Sequence, residues 1–296
     1  MTTPIYISKF HSEDLAIRAS AVITTDLVKQ VQQIHQSFPI ATIAMGRLIT
    51  GVLLMASGLA EKQQVCIRVQ GDGPLGDISA DSTFESEARI YCHNPQLDLP
   101  LVDGKLPVGK AIGKGMLTIT RFHEFHKHPQ VSLVEIQSGE IAEDLSYYYQ
   151  QSQQIPSIVA LSVSLDNQGQ VQAAGGVILE LMPGAPTSLI NTLEARVRSG
   201  RPLSEIILKG ESPLQMVQEY SHTPKLKENR HPHEVKYHCP CSLERVDRTL
   251  KLLGKAALAE MIIKGSPCEV KCHFCGRTYS VSREALKKLH EQISSH

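Results

Sequence analysis

Four cysteines stand in two close pairs late in the chain: Cys239 and Cys241 in "KYHCPCSLERV", and Cys272 and Cys275 in "KCHFCGRTY". The pattern is C-x-C, 30 intervening residues, then C-x-x-C, and it uses four of the seven cysteines. Four soft thiolates can close a tetrahedral shell around Zn2+ with no position left for water, which makes a structural site and not a hydrolytic one. Cysteines clustered this way in a chain without an export signal indicate metal or redox chemistry before structural disulfides.

The same spacing carries a second chemistry. Each thiol lies close enough in sequence to oxidise with its own neighbour, and zinc keeps the sulfurs as thiolates, the form that oxidants attack. One disulfide would remove half of the ligands. Zinc binding supplies roughly 10–16 kcal/mol of folding free energy in small zinc domains, and a region of about 60 residues lacks the core to replace that. Oxidation is therefore expected to unfold the tail and then to unsettle whatever leans on it: ordered when reduced, partly unfolded when oxidised.

Local elements must hold the thiols in place. After Cys241, Ser242 is placed to cap a helix carrying Leu243, Val246, Leu250 and Leu253, with Gly254 to end it. "AALAEMII" reads as a second helix, stopped at Gly265. "CEVKCHFCGRTYSV" reads as a zinc-ribbon hairpin whose knuckle spans residues 272–276. The C-x-C pair departs from common zinc ribbons, which use C-x-x-C twice.

Upstream, "TTDLVKQVQQIHQSF" places Leu27, Val31, Ile34 and Phe38 at helical spacing after a threonine cap. Residues 40–60 are apolar nearly all round. Arg47 interrupts them and leaves 13 uncharged residues from Leu48, a length that suits a buried core helix better than a membrane span. Strand-like segments follow: "QVCIRVQ", "EARIYCH", "GMLTITRF" and "VSLVEI". "GEIAEDLSYYYQQSQQ" reads as a helix, and "SIVALSVSLDNQGQVQAAGGVILELM" as two strands around an Asn-Gln-Gly turn. Beyond residue 180 the pattern changes to short helical pieces divided by Gly200, Pro202, Gly210 and Pro213, too short to persist without a surface to pack on. The organisation expected is an α/β (α+β) domain with a mixed sheet and packed helices over residues 1–179, a metastable helical linker over 180–234, and a small zinc-binding domain over 235–296.

Three other motifs fail for want of context. "GDGPLG", residues 71–76, spells a dinucleotide fingerprint, but strand and not helix follows, so it reads as a tight turn. "GKLPVGKA", residues 104–111, nearly spells a phosphate loop, but Ala111 stands where a hydroxyl is needed and a strand is expected next. In "HEFHKH", Lys127 occupies the position where a zinc-protease helix needs its second histidine; His126 and His128 could share a strand face, but a polar hairpin tip is the better reading. No G-x-S-x-G elbow occurs.

Formal net charge is zero, but from Lys225 onward 14 Lys/Arg face 8 Asp/Glu, a net +6, leaving −6 on the first 224 residues. That tail could favour an anionic partner, and a zinc-ribbon nucleic-acid module is the alternative function. Its aromatics are few, Tyr237, Phe274 and Tyr279, which argues against stacked bases. A thiol oxidoreductase using "CHFC" is a second rival, but that chemistry wants the pair at a helix N-terminus in a βαβ unit. The start, "MTTPIYISKF", lacks the apolar stretch of a signal peptide, which points to the cytosol.

The segments "GDGPLG", "SGEIAEDLSYYYQQSQQIPS", "GGVILELMPGA", "CPCSLERVDRTLKLLG" and "EVKCHFCGRTY" together resemble the redox-regulated 33-kilodalton heat-shock chaperone family nearly end to end. The resemblance implies a non-enzymatic, ATP-independent holdase of the cytosol, with one Zn2+ per chain held in the resting state by Cys239, Cys241, Cys272 and Cys275. It further implies disulfides Cys239–Cys241 and Cys272–Cys275 on oxidation, loss of zinc, an unfolded linker, a homodimer, and unfolded or partly folded clients as partners, with neither nucleic acid nor membrane. Clients would bind apolar surface uncovered near residues 180–235. Two departures stand out: Cys268 is an extra thiol, read as a passive small residue, and Val281 stands where the family usually has an aromatic. Cys66 and Cys92, in strand-like segments, read as inert buried thiols.

Overall fold

The computed structural model describes residues 4–293 apart from Glu13, Leu15, His126, Thr187, Gly265 and Ser266. It divides into two compact units, Met1–His238 and Cys239–His296. The helix stop expected at Gly265 and half of the His126/His128 pair lie outside the described residues.

The first unit is a mixed α/β body built on two sheets. Its elements are β1 (Tyr6–Ser12), β2 (Ile17–Ile23), α1 (Thr25–His35), α2 (Pro39–Ala56), β3 (Gln63–Gly71), β4 (Ile78–Thr83), β5 (Glu87–Cys92), α3 (Val108–Ile112), β6 (Gly115–His123), β7 (Gln130–Glu135), α4 (Ala142–Tyr148), β8 (Ser157–Leu165), β9 (Val171–Leu181), α5 (Ser188–Ser199), α6 (Leu203–Leu208), α7 (Pro213–Ser221), β10 (Lys227–Glu234) and β11 (Lys236–Tyr237). One sheet runs β10-β1-β2-β9-β8 and the other β11-β5-β4-β3-β6-β7. All pairings are antiparallel except β11 with β5.

The helix α2 lies between the sheets, packed on β3, β4 and β5 of one and on β8 and β9 of the other. Both of its sides meet apolar side chains, which is why its sequence is apolar all round. It is long and apolar enough to cross a membrane, and 89% of that stretch is buried inside the protein. Arg47, the interruption, pairs with Glu140. Alternation does the rest on the second sheet: Val65, Ile67 and Val69 of β3 point inward, while Gln64 and Arg68 face out.

Two of the failed motifs meet here. "GDGPLG" passes over α3 so closely that a Cβ on Gly71 would sit 1.8 Å from the Ile112 carbonyl oxygen, and one on Gly73 2.4 Å from that of Ala111. Its amides are already used, Gly73 N–H on Ile112 and Leu75 N–H on Ala111. The glycines serve backbone approach and not phosphate. The near phosphate loop contains a short helix, α3, and the strand expected after the motif is β6, from Gly115. Pro107 precedes it, and Gly113, at φ +78°, ends it before β6. The histidine-rich stretch leads from β6 into the β6–β7 connection, where Phe125 N–H donates to His123 Nδ1.

Residues 180–234 carry the three short helices expected of them, and these cover the outer face of the five-stranded sheet. Leu193 of α5, Leu203, Ile206 and Ile207 of α6, and Met216, Val217 and Tyr220 of α7 bury against Phe10, Ile17, Ala19, Val177, Leu179 and Leu181. The Arg201 guanidinium ties the loops together, reaching Glu211 at 2.6 Å and Glu219 at 2.7 Å, and holds both carboxyls below their usual range. Such part-exposed pairs contribute little each, so docking of α5–α7 rests on those seven apolar side chains.

Sequence reasoning did not anticipate β10. "KENRHPHE" has no apolar alternation, and His231 is its one fully buried side chain. The strand forms because it extends an edge: backbone pairing with β1 suffices where one side faces solvent.

Candidate metal centre

The second unit consists of α8 (Leu243–Leu252), α9 (Gly254–Lys264), β12 (Cys268–Lys271), β13 (Thr278–Val281) and α10 (Arg283–Gln292). Ser242 caps α8 as expected, its Oγ accepting from Arg245 N–H at 3.3 Å, and Ser282 does the same for α10. Gly254, at φ +85°, separates α8 from α9. Strands β12 and β13 pair from Cys268 opposite Val281 to Lys271 opposite Thr278. Between them the knuckle turns at Gly276, φ +72°, closed by Gly276 N–H on the Cys272 carbonyl and Cys272 N–H on the Arg277 carbonyl. The hairpin therefore presents Cys272 and Cys275 from one turn, while the segment entering α8 presents Cys239 and Cys241.

All four Sγ atoms lie within 4.8 Å of one another, and each residue is half-buried. Cys239 Sγ is 3.7 Å from Cys272 Sγ, and Cys241 Sγ is 3.3 Å from Cys275 Sγ. A tetrahedral ion at about 2.3 Å from each sulfur requires sulfur–sulfur edges of about 3.8 Å, so the quartet fits such an ion with sub-ångström adjustments. Four close thiols can hold a metal ion, and the all-sulfur set is consistent with zinc.

The thiols are not equivalent. Burial raises Cys241, but hydrogen bonds from Tyr279 Oη at 3.1 Å and from the neighbouring thiols outweigh it and bring the group down to about 7. Burial raises Cys239, and it pushes Cys275 up to about 12. The thiolate form is thus favoured at Cys241 over Cys239 and Cys275, and it is the form that attacks an oxidant. Tyr279 was missed as part of the site. Its signal was weak: an aromatic in the strand after the knuckle, seen only as a stacking surface.

Beneath the thiols lies a small core of Val246, Leu250, Leu258, Val281, Leu286 and Leu289. Val281 is 2% exposed and fills its share. Cys268 packs at the edge of this core with Val270. Three residue steps of strand, about 10 Å at 3.3 Å each, already separate it from Lys271, the neighbour of Cys272. That exceeds disulfide reach. Cys268→Ser is expected to leave metal stoichiometry and disulfide pattern unchanged and to cost about 1 kcal/mol of stability; metal analysis and thermal unfolding check both. In the first unit, burial and then Asp81 push the Cys66 thiol far up, and burial pushes Cys92 up to about 12, so both are inert at neutral pH.

A family model described as Hsp33 protein matches residues 6–282. The 33 kDa chaperonin of Thermodesulfovibrio yellowstonii is 37% identical over 273 residues, 92% of this chain and 94% of its own length. That of Bacillus subtilis is 35% identical over 295 residues, 98% and 99% of the two chains. The crystal structure of the 33 kDa chaperonin, a heat shock protein 33 homolog, from Thermotoga maritima is similar at a TM-score of 0.86 and 31% identity, covering 97% of this chain and 98% of that one.

Proposed function

Since this chain belongs to the Hsp33 family, a family of chaperones and not of enzymes, we propose that it is an ATP-independent holdase whose client binding is switched on by oxidation. The observation that carries the reading is the quartet of sulfurs within 4.8 Å, drawn from two pairs that can each close on themselves. In the reduced state Cys239, Cys241, Cys272 and Cys275 hold one Zn2+, and residues 235–296 stay folded around it. Hydrogen peroxide oxidises a thiolate to a sulfenic acid, giving hydroxide, and the adjacent thiol displaces water to form the disulfide. Each peroxide takes two electrons and leaves one water and one hydroxide, which takes a proton from solvent. Two rounds give Cys239–Cys241 and Cys272–Cys275, and no ligand set remains.

Loss of the metal then unfolds the tail, and residues 180–234, the metastable linker, follow. The apolar sheet face beneath α5–α7 becomes the surface for unfolded or partly folded proteins on the core formed by residues 1–179. Oxidised chains pair as dimers. The protein works in the cytosol, without nucleic acid or membrane as a partner.

A peroxide titration at slightly raised temperature tests this. Zinc release and suppression of aggregation of an unfolded test protein are expected to rise together, to about one zinc per chain, and to reverse with reductant. Zinc release with no holding activity would refute the switch and bring the basic tail back as a nucleic-acid module. Pairing is read from the same samples. Trypsin cuts after Lys236, Arg245, Lys271 and Arg277, so each proposed disulfide stays within one peptide, 237–245 or 272–277. The expected result is two separate peptides, each two hydrogens lighter. The shortest sulfur–sulfur distances run across the pairs, and a single cross-linked species would instead report Cys239–Cys272 or Cys241–Cys275.

A further inference from the structure

Between the two sheets of the first unit, away from α5–α7, a cavity of about 330 Å³ opens where β1, β2, β6 and β9 converge on the turn after α4. Its charged lining is Lys9, Arg18 and Arg121 against the single carboxylate of Glu180, a net +2 with His123 neutral. Arg18 and Glu180 neutralise each other through two parallel bonds of 2.8 and 2.9 Å. The other two cations have no carboxylate partner among the described residues. Lys9 Nζ donates to the Ser57 carbonyl at 2.8 Å, and Arg121 Nη1 to Gln153 Oε1 at 3.2 Å. Arg121 Nε is buried with no hydrogen-bond partner.

Two half-buried cations sharing a cavity without a counter-charge are costly, and an orphaned donor on a guanidinium adds to that cost. A dianion in the cavity would offset both. The guanidinium fork suits a tetrahedral oxyanion, and Lys9 supplies a point charge. Leu54, Met55 and Ile178 add apolar wall that can take a short carbon skeleton. The volume is near the small end of ligand pockets, roughly 300–1,000 Å³, and leaves no room for a nucleoside triphosphate. We propose that this cavity is a binding site for a phosphate dianion, as inorganic phosphate or a small phosphate monoester, held by Arg121 and Lys9.

The test uses the full-length, reduced, zinc-loaded protein at constant ionic strength, with potassium phosphate, glycerol phosphate or potassium chloride as the probe. Saturable stabilisation by either phosphate and none by chloride is expected. At ten times Kd the folded state is favoured about eleven-fold, a rise in Tm of about 3–6 °C. The tighter of the two phosphates tells whether the natural ligand carries carbon. Arg121→Gln is expected to abolish the saturable component. Lys9→Gln, on a different strand, is expected to weaken it about ten-fold, which keeps the test open should the arginine variant misfold. Arg68→Gln, an outward-facing residue paired with Asp77, should bind as the parent does. Phosphorus NMR line broadening gives a second readout. A response to phosphate no larger than to chloride, or undiminished binding by both folded cavity variants, overturns the proposal.

Discussion

Cys272→Ser is expected to abolish zinc retention, leave α8–α10 and the β12–β13 hairpin unfolded and loosen α5–α7 after them, while residues 1–179 keep their structure. Serine nearly preserves the volume and removes the soft donor. A three-sulfur remnant cannot close the tetrahedral shell. The unit has little else to stand on: its core is six buried apolar side chains, and Leu252, Leu253 and Ile263 are left largely exposed. Metal binding worth roughly 10–16 kcal/mol in domains of this kind has no substitute there. Zinc content per chain, far-ultraviolet dichroism and limited proteolysis after residue 238 read the result. The same outcome is expected for Cys239→Ser. A variant that keeps one zinc and a protected tail would show the ligand set to be wrong.

Ile206→Asp is expected to turn on client binding with the thiols reduced and the zinc in place. Ile206 of α6 is fully buried against the outer face of the five-stranded sheet. An aspartate there meets no cation and has no route to water except by lifting the helix, at a cost of several kcal/mol. The three helices rest on seven apolar side chains, so the cost is enough to open them locally without unfolding the sheet. Aggregation suppression in the presence of reductant, together with binding of an apolar dye, is expected to match that of the oxidised parent. If α5–α7 come free, by proteolysis, and clients still do not bind, the covered sheet face is not the client surface.

What could be read beforehand divides by physical origin. The thiol quartet was legible because ligand chemistry is written in residue type and short spacing, and the structure brings the four sulfurs together. The buried helix α2 was legible because an apolar surface on every side leaves few other placements. The strands β3, β5, β6, β8 and β9 announced themselves by alternation and turn residues. By contrast, β10 and β11 are polar edge segments whose pairing is decided by a distant partner, so nothing local marks them. Tyr279 escaped for the same reason: its bond to Cys241 spans 38 positions in sequence. "GDGPLG" shows the reverse case, a motif rich in local signal whose cause, crowding against α3, appears only in the fold.

The passage from β10 to β11 has a consequence of its own. In the five residues after β10 ends at Glu234 the chain leaves the margin of one sheet, pairs with the margin of the other through Lys236, Tyr237 and the His238 N–H on Ala88, and arrives at Cys239. Release of this segment would remove the outer partner of β1 and of β5 alike. β1 and β5 would then each present an unpaired row of amide and carbonyl groups along the rim of a twisted sheet. Such rims accept an added strand by main-chain bonds alone, indifferent to the side chains of the visitor. Two such rims read only an extended backbone, and so would discriminate little between one added strand and another.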